Sequence, residues 1–412
     1  MQGVTHLLMA KAVRERSRML LEAGLAGRLA HFSVDLDRLH TCAAYVAETI
    51  RQNYPTLKVP PHSRWRHFMV EGRDKWGDGV ARGNAPRDAH DRARCRFDLA
   101  VTSVLLDAGA GPLWRWQEPV MRDGRPSNIE VGRSEGLALA SLSAFLAGLF
   151  SSDETRPLQA DAGGLRAVTT DHLAEAFLVT PQNPLEGLAG RVALLNRLGA
   201  TMAARPDLFG AAPRIGGLFD MLVARGDGKA IDATDILALV LEALGPIWPA
   251  RLSIDGIDLG DTWRHSAIDV PGPTRGLIPF HKLSQWLTYS LIEPLQEAGF
   301  TVANQDGLTG LAEYRNGGLF IDMGVIVPRD PTLLARPLTP DQEPIVEWRA
   351  LTVALLDEIA PLVRKELGVT AEQMPFASIL EGGTWAAGRR IAAEKRPGGG
   401  PPMNIVSDGT VF

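Results

Sequence analysis

The sequence has few cysteines, no long apolar run and no excess of basic residues. Its 412 residues include only two cysteines, Cys42 and Cys95, too few for a disulfide framework or a thiolate zinc site. No stretch reaches the roughly 18 uncharged apolar residues of a membrane span. Lys11 and Arg14 come too early for a secretory apolar region. We therefore expect a soluble protein of the reducing cytoplasm that has no membrane contact.

The formal net charge is −5, and neither half of the chain is plainly basic, which argues against a nucleic-acid partner. Apolar side chains are abundant at 45% of residues, enough to bury a large core. Because helical periodicity dominates, the fold class is predicted as mainly α with minor β, a large helical globule. We predict an N-terminal helical lobe over 1–165 that contributes to the pocket, a second helical lobe over 166–396, and a C-terminal docking tail over 397–412.

Several boundaries are predicted from capping residues, prolines and glycines. Helices are expected over 35–52, 231–244 and 344–367, with Gly368 as the stop of the last and Pro361 as a bend or break within it. The remaining predictions are two helical stretches flanking a turn at 123–127, helices interrupted by prolines over 170–198, a strand pair turning at Gly256, and a tail strand or hairpin around Asp408-Gly409.

The segment from Gly276 to Ala350 contains the strongest candidate chemistry. Lys282 lies near the start of a predicted helix, where Gln285 and Tyr289 extend a polar stripe that would line a pocket. Glu313 precedes Asn316-Gly317-Gly318, a predicted helix breaker that would expose the carboxylate beside a following helix start. The alternatives are a solvated Lys282, and a Glu313 that only pairs with Arg315 or Lys282.

The segment HSRWRHF, residues 62–68, places two arginines, two histidines and a tryptophan in a loop or edge strand framed by prolines. If it is extended, Arg64 and Arg66 share a face on which their guanidinium groups can hold phosphate, with Trp65 and His67 beside them. The alternative is a surface loop with Trp65 in the core. His62 and His67 lack further ligands at metal-binding spacing, so we predict no metal.

Two further clusters are candidates for ligand contacts. GDTWRHS supplies Asp261, Trp263, Arg264 and His265, which would contact a sugar or base, or only cap a turn. EGGTWAAGRR would open a helix after paired glycines, leaving free amides that attract an anion near Trp385 and Arg389; the alternative is a tight turn. Neither a P-loop nor a dinucleotide fingerprint is present, and we predict no cofactor.

The segments HSRWRHF, RSEGLALAS, PFHKLSQWLTYSL, LTGLAEYRNGG and SDGTVF resemble the uracil-catabolism family, the fourth protein of the URC pathway, over nearly the entire chain. That resemblance implies a pathway in which the pyrimidine ring is opened and a ribosylated urea releases urea. Residues 279–358 also resemble, more distantly, the queuosine-salvage nucleosidases, whose fold is similar to helical DNA glycosylases. This second resemblance implies a glycosylase-like fold for the C-terminal half.

The nucleosidase resemblance also implies site residues. The helix lysine corresponds to Lys282, the acidic catalytic position to Glu313 followed by Tyr314 and Arg315, and the later pair to Glu347 and Arg349. Glutamate stands where the nucleosidases have aspartate, and Asn316-Gly317-Gly318 replaces a Val-Pro-Gln-like continuation.

The two resemblances together imply hydrolysis of a ribosyl C–N bond in a small-molecule ribosylurea, with or without a 5-phosphate. Glu313 and Lys282 would be catalytic, and Arg64, Arg66 and Arg389 are candidates for the phosphate. Glu347, Asp261 and His265 are equally open as the acid for the leaving group. The alternatives are a hydrolase that attacks the ureido or amide group itself, and a non-enzymatic nucleotide-binding scaffold.

Overall fold

The computed structural model describes residues 3–81, 86–107, 109–226, 230–248 and 252–406. Helices dominate these residues, which confirms the predicted fold class of mainly α with minor β. The helices are α1 (Ala10–Leu25), α2 (Asp37–Asn53), α3 (Lys75–Ala81), α4 (Ala89–Leu105), α5 (Arg133–Leu146), α6 (Ala162–Ala167), α7 (Thr170–Ala176), α8 (Leu188–Ala204), α9 (Pro206–Phe209), α10 (Gly217–Arg225), α11 (Ala233–Leu244), α12 (Lys282–Glu297), α13 (Tyr314–Asp322), α14 (Glu343–Leu367), α15 (Phe376–Ser378) and α16 (Ala386–Lys395).

The described strands are short and occur in pairs. They are β1 (Phe32–Val34), β2 (Met69–Val70), β3 (Arg73–Asp74), β4 (Trp116–Arg122), β5 (Arg125–Val131), β6 (Ala230–Asp232), β7 (Ser253–Ile254), β8 (Ile257–Asp258), β9 (Thr262–Arg264), β10 (Leu277–Pro279), β11 (Thr301–Ala303) and β12 (Ile326–Pro328). A π-helical segment, Ile379–Trp385, joins α15 to α16. A 3-10 helix spans Arg64–Phe68.

The chain divides into two compact units, each assembled from separate segments. The first unit comprises Met1–His62, Ala250–Tyr289 and Asn304–Phe412; the second comprises Ser63–Pro249 and Ser290–Ala303. Neither unit coincides with the lobes predicted over 1–165 and 166–396. The physical reason is packing between distant parts of the chain, since α14 lies against both α1 and α2 in the first unit.

Within the first unit, α13 contacts α14 and α16, and three antiparallel strand pairs, β1–β12, β9–β10 and β7–β8, hold its connections together. Within the second unit, α4 contacts α5, and β4 and β5 form a hairpin in which Trp116 lies opposite Val131. The parallel pair β6–β11 also belongs to the second unit.

Most helix boundaries follow the predicted ones. Helix α14 ends at Gly368, as predicted, and Gly368 adopts a left-handed φ of 69° that favours glycine. Of the bend or break predicted at Pro361, a break does not occur, because the helix continues through this residue. The predicted turns at 123–127 and Gly256 join strand pairs β4–β5 and β7–β8. None of the helices in the described residues combines the length and the apolar composition of a membrane span.

The predicted breaker Asn316-Gly317-Gly318 is instead part of helix α13. A Cβ atom on Gly317 would lie 2.6 Å from Thr352 Oγ1 and 2.7 Å from the Trp348 ring, so the glycine permits close approach to α14. Trp348 Nε1 donates a hydrogen bond to the Gly317 carbonyl oxygen at 3.0 Å. Glycine at this position therefore serves helix packing rather than chain reversal.

The C-terminal tail docks partly as predicted. Ile405 forms an isolated parallel β-bridge with Leu338, and Met403 is buried. The predicted turn at Asp408-Gly409 lies outside the described residues.

Both cysteine side chains are buried and unpaired by disulfides. Burial raises the pKa of Cys95 to about 12 and also raises the pKa of Cys42. Because the thiolate is the reactive form, we expect neither thiol to react with a thiol-specific reagent in the native protein at mildly alkaline pH. Both should react after denaturation in guanidinium chloride, and rapid labelling of the native protein would contradict this burial.

Candidate functional site

Glu313 lies at the N-terminus of α13 as the capping residue. Its two carboxylate oxygens accept hydrogen bonds from the backbone N–H groups of Arg315 (2.7 Å) and Asn316 (2.5 Å). These are amide groups that the helix itself leaves unsatisfied. The residue is only 8% exposed. The structure therefore holds this carboxylate in one orientation and shields it from most of the solvent.

Lys282 and His62 lie close enough to Glu313 to influence its ionisation. Burial raises the pKa of Glu313, whereas its two backbone hydrogen bonds, the charge of Lys282 and a protonated His62 act in the opposite direction. Burial prevails, so the pKa stays above its ordinary value. The carboxylate, the lysine and the histidine form one electrostatic cluster within the first unit.

Lys282 is the first residue of α12, as the sequence predicted. Its backbone N–H donates to Asp261 Oδ2 at 3.0 Å, and its side chain is half-buried. Asp261 thus fixes the start of the helix that carries the lysine.

The predicted polar stripe beyond Lys282 is buried. Gln285 is fully buried, where its Oε1 accepts from the Thr309 backbone N–H at 2.9 Å. Tyr289 is 1% exposed and donates its hydroxyl to the Thr309 carbonyl oxygen at 3.0 Å. Gln285 and Tyr289 therefore satisfy the backbone N–H and carbonyl groups of Thr309, in the segment that leads to Glu313. Buried backbone groups require such hydrogen-bond partners.

Arg349 and Asp261 form a buried bidentate ion pair. Arg349 Nη1 and Nη2 donate to the two Asp261 oxygens at 2.9 Å and 2.8 Å, and Trp263 Nε1 donates to Oδ1 at 2.5 Å. Burial alone would raise the pKa of Asp261, but the Arg349 charge and these hydrogen bonds lower it below its ordinary value. Asp261 is therefore an ionised anchor for the start of α12.

Glu347 and His265 form a second buried pair. Glu347 is fully buried and accepts from the backbone N–H groups of Phe32 (2.8 Å) and His31 (3.2 Å). His265 Nε2 lies 3.2 Å from the other Glu347 oxygen. Arg264, between Trp263 and His265 on β9, is exposed. The carboxylate of Glu347 ties β1 and the residue after β9 to α14.

Tyr314 and Arg315 follow Glu313 at the start of α13. The Arg315 guanidinium lies 4.8 Å from the centre of the Tyr314 ring, and its Nη1 donates to the Gly399 carbonyl oxygen at 2.6 Å. Arg315 thereby connects the Glu313 turn to the C-terminal tail.

The predicted phosphate loop has a different conformation from the one expected. Residues 64–68 form a 3-10 helix in the second unit, so Arg64 and Arg66 do not alternate along an extended strand. Arg64 is fully buried, with Nη1 2.5 Å from Asp107 Oδ2 and Nε donating to Ser103 Oγ at 2.7 Å. Arg64 is thus held by a carboxylate, which weakens its candidacy as a phosphate ligand.

The other residues of this segment are also held within the second unit. Arg66 Nη2 donates to Glu293 Oε1 at 2.5 Å. Trp65 is buried, as in the alternative interpretation, and donates from Nε1 to the Ser290 carbonyl oxygen at 2.7 Å. His67 Nδ1 lies 3.2 Å from Arg64 Nη1.

The paired glycines of EGGTWAAGRR do not open a helix. Gly382 and Gly383 lie inside the π-helical segment, which continues into α16, so their amides are not free at a helix N-terminus. A Cβ on Gly382 would lie 2.6 Å from Val59, which shows that glycine permits close packing here. Trp385 is half-buried, and the Arg389 guanidinium lies 4.9 Å from the centre of its ring.

Three residues near the cluster are absent from the predicted site. His62 Nδ1 lies 2.5 Å from Glu381 Oε2, and the His62 ring lies beside Trp286 and Trp385. Trp286 follows Lys282 by four residues on α12, a spacing that places both on one helix face and was readable from the sequence. The pairing of His62 with Glu381 joins distant segments, so no local pattern indicates it.

Within the first unit, the structure thus brings Lys282 and Glu313 together, and holds Asp261 with Trp263 and Arg349. A shielded carboxylate beside a lysine, a histidine–glutamate pair and two tryptophans can stabilise a developing positive charge and transfer protons.

Comparisons with known proteins agree with the resemblance stated above. A family model described as protein of unknown function (DUF1688) matches residues 6–412. The chain is 38% identical to "Protein urg3" of Schizosaccharomyces pombe, over 100% of this chain and 99% of that protein. It is 36% identical to "Uracil catabolism protein 4" of Lachancea kluyveri, over 99% of each chain. These matches confirm the likeness to the uracil-catabolism proteins, whereas the similarity to queuosine-salvage nucleosidases remains a prediction. By its full-length match, the chain belongs to the DUF1688 family.

Proposed function

We propose that this protein is a hydrolase of uracil catabolism that cleaves the ribosyl C–N bond of a ribosylurea to give urea and a ribose. The name of the relative from Lachancea kluyveri supports the pathway. The observation that carries the reaction type is the shielded Glu313 carboxylate, held by two backbone N–H groups with Lys282 in electrostatic range.

Cleavage of this bond requires stabilisation of positive charge on the sugar. As the C–N bond breaks, C1 and the ring oxygen acquire oxocarbenium character, which a fixed carboxylate stabilises more than it stabilises the neutral substrate. Glu313 supplies that charge, and its free lone pairs accept a proton from the water that attacks C1. Its low exposure strengthens the interaction because little water screens it.

Lys282 has a supporting role in this mechanism. Its positive charge opposes the effect of burial and thereby favours the ionised form of Glu313 that the reaction needs. Asp261 accepts a hydrogen bond from the Lys282 backbone N–H and is itself held by Arg349. The two residues thereby fix the position of the Lys282 backbone at the start of α12.

Arg389 lies in the same unit as Glu313, and its guanidinium stacks on the Trp385 ring beside His62. We propose it as the group that would contact a 5-phosphate, since a guanidinium binds phosphate through two parallel hydrogen bonds.

The direct test is an assay of the purified protein with ribosylurea and, separately, its 5-phosphate. We expect urea and a reducing sugar to appear in equal amounts, because hydrolysis at C1 releases both. Urea is measured with a urease-coupled assay and the sugar by its reducing end. Release of ammonia while the nitrogen stays on the ribose would instead indicate attack on the ureido group. Absence of turnover with either compound would contradict the proposed reaction.

A further inference from the structure

A buried histidine–glutamate pair lies in the first unit near Glu313. His62 is 5% exposed, and its Nδ1 lies 2.5 Å from Glu381 Oε2. The His62 backbone N–H also donates to the Ala377 carbonyl oxygen at 2.9 Å. The ring is thus fixed through its backbone and through one nitrogen, which leaves Nε2 as the atom able to exchange a proton with a ligand.

Two tryptophans border the His62 ring. The Trp286 ring centre lies 6.2 Å away with an interplanar angle of 31°, and the Trp385 ring centre lies 5.7 Å away at 49°. Aromatic rings at these distances exclude water from the faces of the imidazole and supply flat surfaces for a planar group. The amide plane of a urea is such a group.

The pair is close to the carboxylate proposed to act at C1. Trp286 lies one helical turn after Lys282, and His62, when protonated, acts electrostatically on Glu313 together with Lys282. On the other side, a Cβ atom on Gly388 would lie 2.2 Å from the Arg315 carbonyl oxygen, so the helix that follows Trp385 packs directly on the Glu313 turn. Trp286 on α12 and Trp385 at the end of the π-helical segment are therefore both carried by elements near Glu313.

The groups considered from the sequence as the leaving-group acid are occupied. Asp261 accepts four hydrogen bonds, from Arg349, Trp263 and Lys282. Glu347 accepts two backbone N–H groups. Both ring nitrogens of His265 are engaged, Nε2 by Glu347 and Nδ1 by the backbone N–H of Ala267. Protonating either carboxylate would disrupt a buried network, whereas His62 can carry a proton on each nitrogen.

We propose that His62 is the general acid that protonates the urea nitrogen as it leaves, and that Glu381 is its positioning residue. This inference rests on the proposed function. It adds a catalytic residue that the sequence-based site lacks, and it assigns opposite tasks to two groups: His62 acts on the leaving group and Glu313 on the sugar.

The step is balanced in atoms and charge. The C1–N bond breaks and its electron pair moves to the urea nitrogen, which takes the proton from His62 Nε2. Water attacks C1 and gives one proton to Glu313, and that proton returns to His62 directly or through solvent. The net reaction consumes one ribosylurea and one water and produces one urea and one ribose.

Several charged groups surround His62 and bear on the pH dependence. Glu381 contacts it, Glu313 lies in electrostatic range of both His62 and Lys282, and Arg389 stacks on Trp385, whose ring lies beside His62. Because the acid must be protonated, we expect the rate of ribosylurea cleavage to fall at alkaline pH. A substrate whose leaving group departs without a proton should lack this alkaline limb.

The test compares ribosylurea with 4-nitrophenyl riboside, whose phenolate leaves unprotonated. We expect His62→Asn to lower kcat/KM for ribosylurea by about 10²- to 10⁴-fold, and to change the rate for the nitrophenyl riboside far less. His6→Asn is the matched control, because His6 Nε2 also contacts a glutamate, Glu15, at 2.9 Å in the same unit. That control should leave both rates unchanged.

The outcomes separate this inference from the proposed function. A wild-type protein that cleaves neither substrate contradicts the function itself. Equal losses on both substrates in His62→Asn, or no loss on either, overturn the role of His62 alone. If His62→Asn fails to fold, the wild-type pH profiles still decide, since an alkaline limb shared by both substrates overturns the proposal.

Glu381→Gln tests the positioning role. An amide keeps a hydrogen bond to the ring but removes the negative charge that favours the imidazolium form. We expect the alkaline limb for ribosylurea to move to lower pH, with KM little changed. A profile that keeps its position would show that Glu381 serves only the packing of the π-helical segment.

Discussion

Replacing Glu313 by glutamine is expected to lower kcat for ribosylurea by about 10³-fold, within the range typical for removing a general base or a transition-state charge. The amide keeps the size of the side chain but cannot carry the negative charge that stabilises an oxocarbenium-like sugar. KM should change little, because the ground-state substrate is neutral at C1. Steady-state assays of urea release measure both parameters.

Glutamine at position 313 also weakens the N-cap of α13. A control variant must therefore separate this loss of stability from the loss of catalysis. Its carbonyl oxygen can accept one of the two N–H groups now bound by Glu313, but its NH₂ group cannot accept the other. Asp88→Asn makes the same acid-to-amide change at the N-cap of α4, where Asp88 accepts from the Asp91 N–H at 2.7 Å. The control should lose at most about 1 kcal/mol of unfolding free energy and retain full activity.

Glu313→Asp completes this series. It keeps the charge and shortens the reach by one methylene, so its rate should lie between those of the wild type and Glu313→Gln. If Glu313→Gln retains wild-type turnover, Glu313 is only a helix cap and the mechanism proposed for it is wrong.

Replacing Arg349 by methionine is expected to lower the free energy of unfolding by about 3–5 kcal/mol, the usual result of removing one partner from a buried ion pair. Arg349 is 1% exposed, and its loss leaves Asp261 without its two strongest donors. Methionine fills similar space, so the effect reports the uncompensated charge rather than a cavity. Denaturant unfolding at neutral pH measures it.

The pH dependence of this difference follows from the charge on Asp261. The pKa of Asp261 is depressed in the folded wild type, so the ion pair contributes stability above the unfolded-state pKa of about 3.9, and this contribution is lost as pH falls through the folded pKa. The gap between wild type and Arg349→Met should therefore shrink on acidification, because a protonated Asp261 no longer needs its partner.

An exposed ion pair in the same unit provides the control. Arg18 Nη1 lies 2.7 Å from Glu358 Oε1, with 57% of the Arg18 side chain exposed. Arg18→Met should cost less than about 1 kcal/mol, since exposed pairs are solvated and screened. Equal losses in the two variants would contradict the assignment of Arg349 as a buried anchor.

The helices that carry the site could be predicted from the sequence, since their signals are local. Apolar periodicity and the residue types at helix ends predicted the bounds of α2 and α14. Lys282 also lies at the start of α12, as expected. The predicted resemblance of residues 279–358 to nucleosidases pointed to Lys282 and Glu313, which the structure brings into one electrostatic cluster.

Other predictions failed because the deciding contact comes from elsewhere in the chain. Asn316-Gly317-Gly318 has the composition of a turn, yet Trp348 and Thr352 require glycine where α13 meets α14. Gly382 and Gly383 suggested a helix N-terminus, yet the packing of Val59 and Val46 explains them. Glycine serves both turns and close approach, and sequence alone does not distinguish these uses.

Local sequence signals were sufficient to predict the mainly helical class and the ends of the long helices, because these depend on interactions among neighbouring residues. Which ionisable groups pair depends on the tertiary fold: His62 with Glu381, Asp261 with Arg349, and Glu347 with His265. Each of these pairs joins residues more than eighty positions apart in the sequence. Breaking these pairs destabilises the protein because their members are buried. A charged side chain removed from water requires a partner, and here the fold brings that partner from a distant segment.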